Sequence, residues 1–245
     1  SNLRKAPVKF CGRMLFQESD DRIVSDMGFY AQNVHGIALD ASRKLEVEGL
    51  VNSAEYSALQ KLNGQLNWLV REGRFDLGFG CSRSQQALSS ATVADIIEVN
   101  KSVVEARKPK LWSLRRLRCS LREILVVQAS DASLGTMPRN GSQQGVVSCL
   151  AEPGILKGES RVNILDASSA RVKRIIRSSL GVETAAAAVS MEHGEYVRAV
   201  LAEMVDPEFS IKHWRYHAGQ WLQANAIDAR TLFDALSSDT VCGDK

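Results

Sequence analysis

Two patterns of apolar residues divide the chain near its middle. In the first half, residues 8–17 and 23–30 are rich in apolar residues on either side of the polar segment 18–22, which predicts two strands joined by a turn. From Asn52 onward, apolar residues recur at intervals of three and four, which predicts a helix that begins with a capping box. The apolar positions of this helix are Tyr56, Leu59, Leu62, Leu66 and Leu69.

Two more helices are predicted before residue 110. One covers residues 76–88, and the other follows Thr92 and ends before Pro109, because proline cannot continue a helix. A basic stretch that contains this proline then runs to about Leu121, and it is the best candidate for a domain boundary. We therefore expect one domain over residues 1–110 and a second over residues 120–245.

The second half of the chain predicts three strands, a helix, a strand and a helix. The three strands are expected at residues 124–129, 145–150 and 162–165, and the turn residues at 140–145 favour an antiparallel hairpin between the first two. A fourth apolar run at 172–176 could extend the third strand or form a separate edge.

A long alanine-rich helix is predicted next, from the N-cap at Ser178–Ser179 to Val205, and Pro207 ends it. Residues 221–227 are predicted to form the following strand. This order predicts an α/β protein, of the α+β type with a mixed sheet, in which the three-strand meander lies beside the last strand. The apolar face of the long helix is expected to consist of Val189, Tyr196, Val197, Val200, Leu201 and Met204.

Composition limits the cellular setting more than the function. With 245 residues, of which 44% are hydrophobic, the chain can bury one large or two modest cores. Its five cysteines are scattered and odd in number, which argues against a disulfide framework and predicts free thiols in a reducing compartment. There is no apolar signal core and no run of membrane-spanning length. We therefore expect an intracellular protein, cytoplasmic or nuclear or both, with no membrane partner.

Positive charge is concentrated in particular segments, although the formal net charge is only +3. One cluster leads into the long helix, and its candidate phosphate-binding residues are Arg171, Lys173, Arg174 and Arg177. Such residues supply the sequence-independent part of nucleic-acid affinity. A solvated strand end and linker would have the same composition, so both interpretations stay open.

Three acidic residues follow or begin predicted elements. Asp131 follows the first apolar run of the second half, Glu183 lies in the first turns of the long helix, and Asp228 lies between the last strand and the last helix. Carboxylates without histidine or cysteine are the ligands that Mg²⁺ prefers. Each acid also has a structural explanation, because Asp131 could cap a turn, Glu183 could favour the helix dipole and Asp228 could be an N-cap.

The order of these acids and the sequence around them resemble the ribonuclease H domain of copia-type retrotransposon Pol polyproteins. The segment Leu62–Leu69 and the sequence Arg-Phe-Asp-Leu at 74–77 are similar to the part that joins reverse transcriptase to that domain, although the family usually has proline at the position of Phe75. The resemblance is strongest from about Glu123 onward. It implies a ribonuclease H-like domain over 120–245, preceded by a palm-end β-hairpin and thumb or connection helices over 1–110.

The resemblance also implies an activity, which is the hydrolysis of the RNA strand of RNA/DNA hybrids with two Mg²⁺ ions, for which Mn²⁺ can substitute. Asp131 would bridge both ions, with Glu183 and Asp228 beside it. The implied partners are the hybrid and the remainder of the reverse transcriptase polyprotein. No polymerase site is expected, because Asp20 and Asp21 are predicted to lie in a turn between two strands. The alternative is a catalytically inactive remnant that binds nucleic acid or has a structural role.

Two further groups of residues bear on this site. In the family a fourth metal-binding acid follows the Asp-Lys pair at 244–245, so the domain is expected to be truncated at its C-terminus, with reduced stability and turnover. Neither Asp234 nor Asp239 is expected to replace that acid. His213 and His217 have the spacing of a zinc pair on a helix, but no further ligand is near in sequence, which makes a surface loop the better prediction.

Overall fold

The computed structural model describes Leu3 and residues 6–237, and it divides into two compact units at the Leu114–Arg115 bond. The protein is a mixed α/β structure with one sheet in each unit. The division lies within the basic stretch that begins at Lys108. Residues 238–245, which include Asp239 and Cys242, lie outside the described residues.

The first unit contains a four-stranded sheet in the order β1-β2-β3-β4. Its strands are β1 (Val8–Phe10), β2 (Arg13–Ser19), β3 (Arg22–Asp26) and β4 (Trp112–Arg115). The first two pair antiparallel, and so do the second and third. Asp20 and Asp21 form the turn between β2 and β3, as predicted.

The prediction of only two strands in this region was wrong at two places. The expected strand 8–17 is interrupted by a turn at Cys11–Gly12, where both residues have positive φ, 48° and 82°. Glycine adopts that conformation without steric cost, which allows the chain to reverse here. Phe29 and Tyr30 lie in a short helix and not in the expected strand 23–30.

Among the described residues of the first unit there are five α-helices, namely α1 (Gly28–Gln32), α2 (Ala41–Leu45), α3 (Ser53–Arg71), α4 (Gly78–Ala87) and α5 (Val93–Ala106). The predicted capping box at the start of α3 is confirmed, because the side chain of Asn52 accepts from the N–H of Glu55 and the Glu55 carboxylate accepts from the N–H of Asn52. The predicted core positions Leu59, Leu62, Leu66 and Leu69 are all buried, whereas Tyr56 is exposed.

A buried arginine joins the end of α5 to the segment that follows α3. Arg74 is only 4% exposed, and its guanidinium donates to the carbonyl oxygens of Glu105, at 2.9 Å, and Ala106. Asp76 accepts two further hydrogen bonds from Arg74, each 3.0 Å long. The last carbonyls of a helix lack the N–H partners of a following turn, so this arginine supplies a donor to Ala106 and a second one to Glu105, which also accepts from the N–H of Lys108.

The second unit contains a mixed sheet in the order β7-β6-β5-β8. Its strands are β5 (Leu125–Met137), β6 (Gly141–Ala151), β7 (Val162–Arg171) and β8 (Gln223–Ile227). The first three form the predicted antiparallel meander, and β8 pairs parallel with β5. The predicted mixed sheet, with the meander beside the last strand, is therefore confirmed.

The strands of the meander are longer than the apolar runs that predicted them. β5 continues to Met137, so Asp131 lies within the strand and not at its end, because β6 pairs with the polar residues as well. The turn is at Pro138–Asn140, earlier than predicted, and most of the residues expected to form it belong to β6. β7 ends at Arg171, so the apolar run at 172–176 is not a strand.

Helix α6 (Ser179–Val205) has the predicted extent, and its N-cap Ser178 accepts from the N–H of Gly181. Its predicted apolar face was wrong at Tyr196 and Met204, which are 71% and 76% exposed, whereas the other four predicted positions are partly buried. Mostly small residues are buried instead, namely Val182, Ala186, Ala187, Ser190, Gly194 and Ala202. Small side chains let the helix axis approach the sheet closely, and a Cβ atom at Gly194 would lie 2.2 Å from the Nε2 atom of Gln223 in β8.

Two short helices, α7 (Trp214–Ala218) and α8 (Arg230–Ser237), flank β8. The region of His213 and His217 is therefore helical and not the loop that was predicted. Cys11, Cys81, Cys119 and Cys149 are free thiols, as expected. None of the helices among the described residues combines the length and hydropathy that crossing a bilayer requires.

We expect Arg74→Ala to lower the free energy of unfolding by about 3 kcal/mol, because it removes the charged donor of the Ala106 carbonyl oxygen and leaves Asp76 with Lys110 as its remaining charged donor. Urea denaturation of the full chain measures the change. Arg71→Ala, which removes an exposed arginine from the end of α3, is the control and should alter stability by less than about 0.5 kcal/mol. Equal effects of the two variants would contradict a clamping role for Arg74.

Candidate metal centre

Three carboxylates from three separate elements meet in the second unit. Asp131 lies within β5, Glu183 lies in the second turn of α6, and Asp228 directly follows β8. One carboxylate oxygen from each residue lies within 4.8 Å of the others. Asp131 and Asp228 are exposed, and Glu183 is half-buried. The structure therefore brings together the three acids that the sequence singled out.

The parallel pairing of β5 and β8 explains why Asp131 and Asp228 are neighbours. The register begins with Val126 opposite Gln223 and ends with Ser130 opposite Ile227. The next residue along each strand is an aspartate, so the register aligns the two acids although one lies within its strand and the other follows its strand. A shift of the register by one residue would separate them and turn one side chain to the other face.

The end of β8 also leaves a backbone donor available to Glu183. The N–H of Val126 donates to the carbonyl oxygen of Leu222, so it lies on the edge of β5 that faces β8. Along a strand, every second N–H group points to the same edge. Ala132 is the first residue of β5 whose N–H group points to this edge but lies beyond the end of β8. Its backbone hydrogen-bonds to the Glu183 carboxylate, so the helix acid is attached to the strand that carries Asp131.

The surroundings of Glu183 favour its neutral form. Burial is the largest cause that raises the pKa of Glu183, and the negative charges of Asp131 and Asp228 raise this pKa further. The hydrogen bond from Ala132 acts in the opposite direction because it stabilises the charged form. The net result is a carboxyl group that keeps its proton to a higher pH than an ordinary glutamate.

The donor set suits a hard divalent cation. All three ligand groups are carboxylates, which Mg²⁺ and Mn²⁺ accept and which offer no soft sulfur or imidazole donor. A cation between them would cancel the repulsion that raises the pKa of Glu183. Within the described part of the chain, no other group of three His, Cys, Asp or Glu side chains comes this close together.

The four basic residues proposed as phosphate ligands lie in the segment that leads to this centre. Arg171 is the last residue of β7, and Lys173, Arg174 and Arg177 lie between β7 and α6. All four are exposed. Because α6 carries Glu183 only six residues after Arg177, this positive charge is close in sequence to the acidic cluster.

The two histidines that have zinc spacing do not form a metal site with other ligands among the described residues. His217 is buried, and its Nδ1 atom lies 2.7 Å from the Oδ2 atom of Asp206. This pair joins α7 to the end of α6. It also holds the pKa of Asp206 below its usual range, because the hydrogen bond stabilises the charged carboxylate.

Sequence reasoning did not find the role of Ala132, because a backbone N–H has no signature in the sequence. The lengths of β5 and β8, together with their register, would have revealed it. No family model matches the sequence, and no curated protein is similar to it at a significant level.

We expect Mg²⁺ to raise the free energy of unfolding at pH 7, by about 1.4 kcal/mol at ten times its dissociation constant. Asp131→Asn removes one of the three charges and should abolish most of this increase. Urea denaturation with and without Mg²⁺ measures it. Asp234→Asn, an exposed acid of α8, is the matched control and should keep the full increase. Equal stabilisation of both variants would show that the cation binds elsewhere.

A second expectation concerns pH in the absence of divalent cations. Because the pKa of Glu183 is raised in the folded state, the folded chain holds this proton more tightly than the unfolded chain, and stability is lost as the pH rises through the folded-state pKa. Glu183→Gln removes that loss. Relative to the wild type, the variant should therefore gain stability between pH 4 and pH 7.

Urea denaturation of both proteins in EDTA at pH 4 and at pH 7 measures this difference. Glu203→Gln, an exposed glutamate on the same helix, is the control and should follow the wild type at both values. A stability difference between Glu183→Gln and the wild type that stays constant with pH would contradict the raised pKa.

Proposed function

We propose that the second unit is a ribonuclease H-like domain of a copia-type retrotransposon Pol polyprotein, which hydrolyses the RNA strand of RNA/DNA hybrids. The observation that carries this proposal is the meeting of Asp131, Glu183 and Asp228. The order of elements supports it, because a three-strand meander, a long helix and a parallel fourth strand supply the three acids in the sequence order that the resemblance implies.

We assign the first unit, on the same resemblance, to the end of a reverse transcriptase. Its hairpin β2–β3 would close the palm, and its helices would belong to the thumb or connection region. The sequence Arg-Phe-Asp-Leu at 74–77, which contributes to the resemblance, contains the arginine that holds the end of α5. The remainder of the polyprotein would then be a partner, and the protein would act inside the cell, in the cytoplasm or the nucleus.

The proposed chemistry is the cleavage of a phosphodiester by an activated water. Asp131, Glu183 and Asp228 would hold Mg²⁺. Two bound Mg²⁺ ions would supply activation of the water and stabilisation of the leaving 3′ oxygen. Glu183 must lose its proton to bind a cation. Part of the free energy of cation binding would therefore be used to hold three negative charges together.

The residues around the acids would bind and orient the substrate. The hydrogen bond from Ala132 fixes the Glu183 carboxylate against β5, and the β5–β8 register fixes Asp228 beside Asp131. The exposed basic segment from Arg171 to Arg177 would neutralise backbone phosphates, which also lowers the repulsion between the acids and a polyanionic substrate. The choice of an RNA/DNA hybrid as the substrate comes from the resemblance, because the same arrangement of acids can serve other nucleases.

The direct test is cleavage of an end-labelled RNA/DNA hybrid by the full chain in Mg²⁺. We expect cleavage of the RNA strand only, and Asp131→Asn should lower the rate by at least about a hundredfold, because the loss of a metal ligand removes several kcal/mol of transition-state stabilisation. Asp234→Asn should cleave at the wild-type rate.

Two outcomes would overturn the nuclease proposal, namely no cleavage by the wild type or equal cleavage by the wild type and Asp131→Asn. If the wild type does not cleave but still binds the hybrid with a steep salt dependence, the protein is a nucleic-acid-binding remnant. RNA/RNA and DNA/DNA duplexes of the same sequence test whether cleavage requires the hybrid.

A further inference from the structure

An extended segment of the first unit is held by α5 along one of its edges. Residues 34–40 connect α1 to α2 and belong to neither a helix nor a sheet. The side chain of Asn100 in α5 binds both backbone groups of Ile37, because its Oδ1 atom accepts from the N–H at 2.8 Å and its Nδ2 atom donates to the carbonyl oxygen at 2.9 Å. One side chain can bind both groups only where they point the same way, as they do in an extended strand. Asn100 therefore takes the place of a neighbouring strand.

A second contact fixes the start of this segment. Arg107, which follows α5, donates from its Nε atom and from one terminal guanidinium nitrogen to the carbonyl oxygen of Val34, at 3.1 and 2.7 Å. The same terminal nitrogen lies 2.8 Å from the Nδ1 atom of His35. Since arginine only donates, Nδ1 accepts, and the proton of the neutral imidazole is on Nε2. The conformation of the segment is thus fixed before any ligand binds.

The opposite edge of the segment has no partner. Backbone groups of neighbouring residues in an extended chain point to opposite edges, so the N–H and carbonyl groups of Gly36 and Ala38 point away from Asn100. None of these groups hydrogen-bonds to a described residue. Gly36 allows the close approach to Asn100, because an added Cβ atom would lie 2.7 Å from its Oδ1 atom. The segment therefore presents an unpaired strand edge, which is a template for the pairing of a further strand.

This edge lines a groove that it shares with α3. The groove has a volume of about 360 Å³, which is within the range of ligand-binding clefts. Gly36 and Ala38 of the segment line it, together with Ala58 and Leu62 of α3. Ala58 is half-buried and Leu62 is only 2% exposed, so the helix contributes an apolar wall. A backbone edge and an apolar wall together suit an extended peptide, whose backbone pairs with the edge while its side chains contact the helix.

The charge of the groove indicates which kind of peptide it accepts. Lys61 of α3 lines the groove, is exposed, and forms no ion pair with any residue in the described part of the chain. The Nε2–H group of His35 adds a donor to the same lining. None of the described residues that line the groove is acidic. A carboxylate would supply the partner that Lys61 lacks, whereas a basic peptide would meet only positive charge.

We propose that this groove binds an extended acidic peptide, which adds a strand to residues 34–40 and places a carboxylate at Lys61. Strand addition gives a reason for the anchoring of the segment by Asn100 and Arg107, since a preformed edge loses less conformational entropy on binding. The phosphates of a nucleic acid would also neutralise Lys61, but they offer no alternating N–H and carbonyl groups for the free edge. The groove lies entirely in the first unit, so the inference does not depend on the proposed nuclease activity.

Selection from a phage-displayed library of random heptapeptides against the full chain supplies the probe. We expect the selected peptides to contain Asp or Glu and to be rich in β-branched residues. Fluorescence anisotropy then measures the Kd of the most enriched peptide. Lys61→Glu should weaken binding at least about tenfold, because it replaces a charge-assisted hydrogen bond with repulsion. Lys9→Glu, the same charge reversal at an exposed lysine of β1, should bind as tightly as the wild type.

N-methylated versions of the selected peptide test the strand addition itself. Replacement of each backbone N–H in turn by N–CH₃ should weaken binding at alternate positions, because only every second N–H faces the edge. Ala58→Phe fills the groove from α3 and should weaken binding at least about tenfold. Ala54→Phe adds the same bulk one turn earlier on α3, at an exposed position, and should bind normally. Urea denaturation establishes that each variant is folded.

The peptide site is wrong if no peptide is enriched, or if Lys61→Glu and Lys9→Glu bind the enriched peptide equally. Strand addition is wrong if N-methylation weakens binding without alternation along the peptide. Fluorescein-labelled single-stranded DNA tests the other polyanion. If no peptide is enriched and the DNA binds the wild type but not Lys61→Glu, the groove is a nucleic-acid site and the proposal is overturned.

Discussion

The main constraint on the second unit is that its fold must hold together three carboxylates that repel one another. Asp131, Glu183 and Asp228 each come from a different element, and in water their charges would keep them apart. The parallel ladder between β5 and β8 and the contact of α6 with β5 hold them together. Burial and the charges of Asp131 and Asp228 raise the pKa of Glu183, and the hydrogen bond from Ala132 offsets part of this increase. A group of carboxylates that raise the pKa of one of their number is compatible with a cation site.

The packing of α6 on the sheet provides the precision that this site needs. The buried positions of α6 are mostly alanine, glycine and serine, so the helix lies close to the strands, and Gly194 allows the side chain of Gln223 to reach the carbonyl oxygen of Met191. The sheet face under the helix is also partly polar, because Gln128 is fully buried and accepts from the hydroxyl of Ser148. A hydrogen bond in such a setting fixes position more strictly than apolar contacts do. The first unit uses the same principle at Arg74, where a buried guanidinium fixes the end of α5.

Where local sequence preference and tertiary pairing agreed, the sequence predicted the structure correctly. The start of α3, the N-cap of α6 and the end of α5 before Pro109 depend on neighbouring residues, and all three were predicted. The length of β5 was not, because a polar residue becomes part of a strand only when another strand pairs with it, and β6 pairs with Asp131 and beyond. The buried face of α6 was missed for a related reason. Hydrophobicity identifies large apolar residues, whereas close helix–sheet packing selects small ones.

The sequence by itself determined the order of the strands and of the long helix in the second unit, the mixed α/β class and the identity of the three acids. Periodicity, capping residues and prolines act over a few positions, and they are therefore readable from the chain alone. Only the tertiary structure decided that the acids lie within 4.8 Å of one another and that the N–H of Ala132 is free to bind Glu183. These features depend on strand register and on where β8 ends. Register is set by pairing between distant segments, which no local pattern in the sequence specifies.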